Sequence, residues 1–130
     1  MLKKILVVDD SALIHQMFKM SFMRYRCTML SAKNGKEALD LLPKHPDIDL
    51  IMLDINMPVM GGLEFLGKLR ALEGYSRLPV IIQSTEGKED DTKRGMALGA
   101  TAYITKPIQT AALHTLIDKI VPSAQQVQSQ

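Results

Sequence analysis

Three uninterrupted apolar runs set the terms for this chain: Ile5-Leu6-Val7-Val8, Leu50-Ile51-Met52-Leu53 and Val80-Ile81-Ile82. Short continuous runs of this kind read as strands covered on both faces, as in a parallel sheet. Each run stops at groups that can do chemistry. Asp9-Asp10 follows the first, Asp54 the second and Gln83-Ser84-Thr85 the third. Pro58 comes shortly after Asp54 and has no backbone donor, so a regular strand must end before it. Asp54 then stands at the mouth of a strand, where open α/β sheets place their ligand sites.

Helical spacing fills the gaps. After Ser11, a natural N-cap, Ile14, Met17, Phe18, Ser21 and Phe22 form the inward face of a helix running to about Arg24. Leu13, Gln16 and Met20 point elsewhere, and the apolar pair among them is either a docking surface or scattered surface hydrophobes. Cys27 to Ala32 reads as a second strand, Lys36 to Leu42 as a short helix closed by Pro43 and Pro46. Leu63 to Leu72 is a third helix, packing through Leu63, Leu66, Leu69 and Leu72 or their neighbours and stopped by Gly74. Backbone freedom at Gly61-Gly62 is expected to loosen the turn before it. Lys88 to Leu98 is a charged helix with few apolar residues, so it is expected to be weakly anchored, as a moving element must be. A fifth strand, Ala102-Tyr103-Ile104, precedes Lys106-Pro107. The last helix, from about Gln109 to Val121, carries Leu113, Leu116, Ile117 and Ile120 on one face.

Strands alternating with helices argue for one parallel sheet with helices on both faces and right-handed crossovers. The 130 residues fit a single domain over 1–122, followed at 123–130 by a Gln/Ser-rich flexible tail or the start of a linker. A net charge of +2 without a dense basic stripe gives no case for direct nucleic-acid binding. One cysteine, Cys27, excludes an intramolecular disulfide and suits a reducing cytoplasm. The N-terminal apolar run is too short to insert in a membrane.

In a parallel sheet the strand ends share one edge, so Asp9, Asp10, Asp54, Ser84 or Thr85, and Lys106 should converge. Clustered carboxylates repel and need protons or a cation, and an all-oxygen donor set with water suits Mg²⁺. A cation beside an aspartate lets a phosphoryl group approach, so Asp54 can attack phosphorus and form an aspartyl phosphate. Lys106 and Ser84 can then contact phosphoryl oxygens, and positioning plus charge stabilisation suffices for such a transfer.

Asp9-Asp10, Asp54 followed by Met57-Pro58, the hydroxyl ending strand four and Lys106-Pro107 together resemble the response-regulator receiver domains of bacterial two-component signalling. The likeness runs from Lys3 to about Val121 and is closest in form to the single-domain CheY-like chemotaxis regulators. It implies a (βα)5 flavodoxin-like doubly wound sheet of strand order 2-1-3-4-5. It implies Asp54 as phosphoacceptor, with Mg²⁺ held by Asp10, Asp54, the Asn56 carbonyl and Asp9 directly or through water. Lys106 would contact the phosphoryl group across a cis bond to Pro107. Ser84, or Thr85, would be the switch hydroxyl and Tyr103 the switch aromatic, while Asn56 and Glu86 would tune phosphate lifetime. The resemblance further implies a phosphoacceptor domain that assists its own phosphorylation and dephosphorylation rather than an enzyme. Its donor would be a sensor histidine kinase or histidine phosphotransfer protein, docking on Leu13, Met17 and Met20. Its target, or an output domain in a longer chain, would bind the face made by the fourth helix, fifth strand and last helix. His15 and Gly61 depart from the family pattern, and neither is expected to touch the chemistry.

Two rivals fail on residues. A haloacid-dehalogenase phosphatase wants a second acid two positions after the nucleophile, where Asn56 stands, and a flavodoxin would set a phosphate against Asp9-Asp10. A receiver-like module that is never phosphorylated remains the alternative of a different class.

Overall fold

A computed structural model describes residues 2–85 and 87–121. Five strands, β1 (Lys4–Val8), β2 (Thr28–Ala32), β3 (Leu50–Asp54), β4 (Val80–Ser84) and β5 (Ala102–Thr105), form one sheet in the order β2-β1-β3-β4-β5. All neighbours are parallel. The helices are α1 (Ala12–Ser21), α2 (Gly35–Leu41), α3 (Gly62–Ala71), α4 (Glu89–Ala97) and α5 (Thr110–Ile120). The expected doubly wound architecture and strand order are therefore present.

Alternate residues of the same strands feed two cores. Leu6, Val8, Ile51, Leu53, Val80 and Ile82 pack with Ala38 of α2 and Phe65, Leu66 and Leu69 of α3. Ile5, Val7, Leu50, Met52, Ile81 and Ile104 pack with Phe18 and Phe22 at α1 and Leu113 and Ile117 of α5. This two-sided burial is why the central strands lack polar alternation. Helix starts follow local chemistry: Ser11 Oγ accepts from the Ile14 N–H, and Asn34 Oδ1 from the Glu37 N–H.

Three expectations need correction. On α3, Leu66 and Leu69 are buried with their neighbours Gly62 and Phe65, and Leu63 packs half-buried against the same core, whereas Leu72 caps the helix in extended conformation and is exposed. The helix begins against backbone: a Cβ on Gly62 would lie 2.2 Å from the Asp54 carbonyl oxygen. Gly61-Gly62 is thus a close-packed junction and not a loosened one; the left-handed residue of this loop is Val59, at φ 69°. Met17 is half-buried against the α1/α5 core, so it leaves the outward pair Leu13 and Met20 without it.

The charged helix α4 buries only Thr92 and Gly95 and has no side-chain N-cap. Its far end is held better. The Arg70 guanidinium donates to the Gly99, Tyr75 and Leu78 carbonyls at 2.7 to 3.1 Å. This joins α3 to the segment before β4 and to the turn after α4.

Candidate functional site

Parallel pairing brings the strand ends together. Asp9 is locked one residue past β1, where its N–H donates to the Ala32 carbonyl at 3.0 Å. Asp54 closes β3 and Ser84 closes β4. Lys106 follows β5, and its N–H donates to the Ser84 carbonyl at 2.7 Å. Carboxylate oxygens of Asp9, Asp10 and Asp54 all lie within 4.8 Å of one another. Asp9 and Asp54 are buried and Asp10 is exposed. The Lys106 ammonium is 3.6 Å from Asp9 Oδ2 and 3.5 Å from Asp54 Oδ1. The Lys106–Pro107 bond is cis.

Burial pushes the Asp9 and Asp54 carboxyls up, and their mutual repulsion raises Asp54 further; Lys106 opposes this at both. Asp9 Oδ1 accepts from the Ser11 N–H at 2.8 Å, while buried Oδ2 has no hydrogen-bond partner among the described residues. Crowded, partly unsatisfied carboxylate oxygens fit a hard divalent cation.

His15 reaches the site through the site's backbone. Its Nε2 lies 2.7 Å from the Asp9 backbone oxygen, so the ring donates there and supports the site's backbone. A basic residue one helical turn beyond Ser11 was the only sequence signal for this contact. The switch candidates separate clearly: Ser84 is buried, Thr85 is exposed, and Tyr103 is 53% exposed. Ser84, Thr92, Met96, Tyr103 and Thr105 line a groove of 440 Å³ between α4 and β5. Asn56 is exposed two residues past β3. Glu86 and the tail at 123–130 lie outside the described residues.

The response regulator receiver domain profile matches residues 5–118. The chain belongs to this family. The receiver is 35% identical over 119 residues to a chemotaxis protein CheY homolog of Campylobacter jejuni, covering 91% of this chain and 92% of that protein. It superposes on the chemotaxis response regulator CheY4 of Vibrio cholerae with a TM-score of 0.84 and 32% identity, over 93% of this chain and 100% of that one. It is also 32% identical over 118 residues to the sensor histidine kinase CheAY of Helicobacter pylori, where the match spans 90% of the receiver and 15% of the kinase. The receiver is therefore CheY-like and belongs to two-component signalling. Among the described residues, no helix is long and apolar enough to cross a membrane.

Proposed function

We propose that this receiver accepts a phosphoryl group on Asp54 from a phosphohistidine of a sensor kinase or phosphotransfer protein. An Asp54 carboxylate oxygen attacks phosphorus, the P–N bond breaks, and its electron pair goes to the donor's imidazole nitrogen. The observation that carries this reading is Lys106 held 3.5 Å from Asp54 and 3.6 Å from Asp9 at the strand ends. An ammonium free to leave carboxylates for phosphoryl oxygens supplies the charge stabilisation such a transfer needs. Asp9, Asp10, Asp54 and the Asn56 carbonyl would hold Mg²⁺, which when bound offsets the charge of the incoming group.

The chain is consumed as a phosphoacceptor and assists its own labelling and hydrolysis rather than turning over a substrate as an enzyme. Ser84 would donate to the phosphoryl group, a reading supported by its burial at the end of β4, with the exposed Thr85 beside it as the alternative. Movement of Ser84 toward the phosphate would open room for the Tyr103 ring in the α4–β5 groove and re-pose α4. The α4-β5-α5 face would then bind a target protein in the cytoplasm, with Leu13 and Met20 on α1 meeting the kinase partner.

Intact mass after incubation with a small phosphodonor tests this. One Mg²⁺-dependent phosphoryl adduct is expected in wild type and none in Asp54→Asn. A folded wild type that stays unlabelled beside a labelled control receiver would leave an interaction module that works without phosphate.

A further inference from the structure

Gln83 has no part in the chemistry above, yet it is buried beside it. The residue is 1% exposed, and among the described residues neither Oε1 nor Nε2 has a hydrogen-bond partner. A buried amide with both ends unpaired calls for an explanation. Nothing about the position demands a polar group. Gln83 pairs with Asp54 on β3 and with Ile104 on β5, and it follows Ile81 on the same face, so an apolar side chain would extend the core there.

Its place in the sheet supplies the reason. Lys106 leaves the chain just past β5, while its ammonium sits beside Asp54 of β3 and Asp9 of β1. To get there its side chain must cross in front of β4. Strand alternation puts Asp54 and Gln83 on one face, and the same alternation carried one residue past β1 and β5 brings Asp9 and Lys106 to it. Gln83 therefore stands under the path of the lysine. At 3.5 and 3.6 Å, both of the ammonium's carboxylate contacts are long, which leaves it room for a further acceptor. An ammonium has three donors and no acceptor, so only the amide oxygen of Gln83 can serve it.

We propose that Gln83 is a positioning residue for Lys106, its Oε1 accepting one N–H of the ammonium when that ammonium turns from Asp9 and Asp54 to a phosphoryl group on Asp54. The inference rests on the phosphoacceptor reading of Asp54. It accounts for an amide that lacks a partner among the described residues of the unphosphorylated site and gains one in the phosphorylated site.

Gln83→Met keeps the side-chain length and removes both polar atoms. Stability should stay equal or rise, because an unsatisfied amide is gone. Labelling by acetyl phosphate at saturating Mg²⁺ should slow about five-fold, the effect of one modest hydrogen bond. In a Lys106→Met background the same change should alter the rate by less than about two-fold, as coupled residues require. A folded Gln83→Met labelled at the wild-type rate overturns the proposal. Equal slowing in both backgrounds also overturns it and makes Gln83 a packing residue. If Gln83→Met fails to fold, wild type decides: the Gln83 side-chain amide resonance, assigned through its own backbone, must move on phosphorylation, and an unmoved resonance rejects the idea. Wild type that takes up no phosphoryl group overturns the Asp54 reading and this one with it.

Discussion

At the scale of single residues, the site is organised by charges that the fold forces together. Asp9 and Asp54 have carboxyls raised above the ordinary range, first by burial and, at Asp54, next by Asp9. A carboxyl raised in the native state binds its proton more tightly folded than unfolded. Its contribution to stability is full below the unfolded carboxylate range and is lost as pH rises through the native value. Other carboxylates run the opposite way, such as exposed Asp47, held low by Lys4. The difference between wild type and Asp54→Asn isolates the site. In denaturant titrations with EDTA between roughly pH 4 and 7, Asp54→Asn should be the more stable protein near neutrality, with the gap closing as pH falls. Magnesium should stabilise wild type near neutrality and much less at the acid end. A gap that widens toward acid would mean that Lys106, and not burial with repulsion from Asp9, governs Asp54. Asp9, Asp54 and Lys106 were legible in the sequence because Asp54 ends a strand and the other two stand one residue past one. His15 and Gln83 were not, because one acts on backbone through a helical turn and the other hides a polar group inside an apolar strand.

At the scale of elements, α3 shows what periodicity alone cannot supply. Leucines at 63, 66, 69 and 72 suggest one face, and the first three do pack on the core, but the helix also buries Gly62 against backbone at its start and leaves Leu72 exposed at its end. The sequence contains Gly62, though not what it touches. A methyl group at Gly62 would meet the Asp54 carbonyl at 2.2 Å and the Ile55 Cα at 2.8 Å, and backbone at the site strand cannot step aside. Gly62→Ala should cost about 1–3 kcal/mol of stability by overpacking, measured by urea unfolding. It should also slow labelling of Asp54, whereas Gly67→Ala, with nothing within 4 Å, should do neither. Destabilisation with normal labelling would separate the junction from the site. The slight anchoring of α4 was legible because its first turns contain almost nothing to bury. Its firm attachment through Arg70 was not, since that side chain reaches across 29 positions of sequence to Gly99.

At the scale of the whole molecule, α1 and α5 are joined. The Tyr25 hydroxyl donates to Asp118 Oδ1 at 3.0 Å, and His114 Nε2 donates to the Ser21 carbonyl at 2.6 Å. Phe18 stacks on Phe22 beneath, with ring centroids 5.3 Å apart. These contacts hold the inner face of α1, leaving Leu13 at 73% and Met20 at 75% exposure outside. Leu13→Glu with Met20→Glu should therefore leave the fold and acetyl-phosphate labelling unchanged while slowing transfer from the phosphorylated kinase partner by about ten-fold or more, the loss of a small apolar contact patch. Equal loss with both donors would remove the docking role. The parallel sheet has one more consequence. Because parallel strands all finish at the same edge, the groups proposed to handle phosphate gather at that edge, whereas the apolar pair proposed to meet the kinase partner, Leu13 and Met20, lies on the outward side of a helix. Leu13 and Met20 belong to no part of the strand-end cluster, so substitutions on that helix exterior can retune which kinase is met while the chemistry is inherited intact.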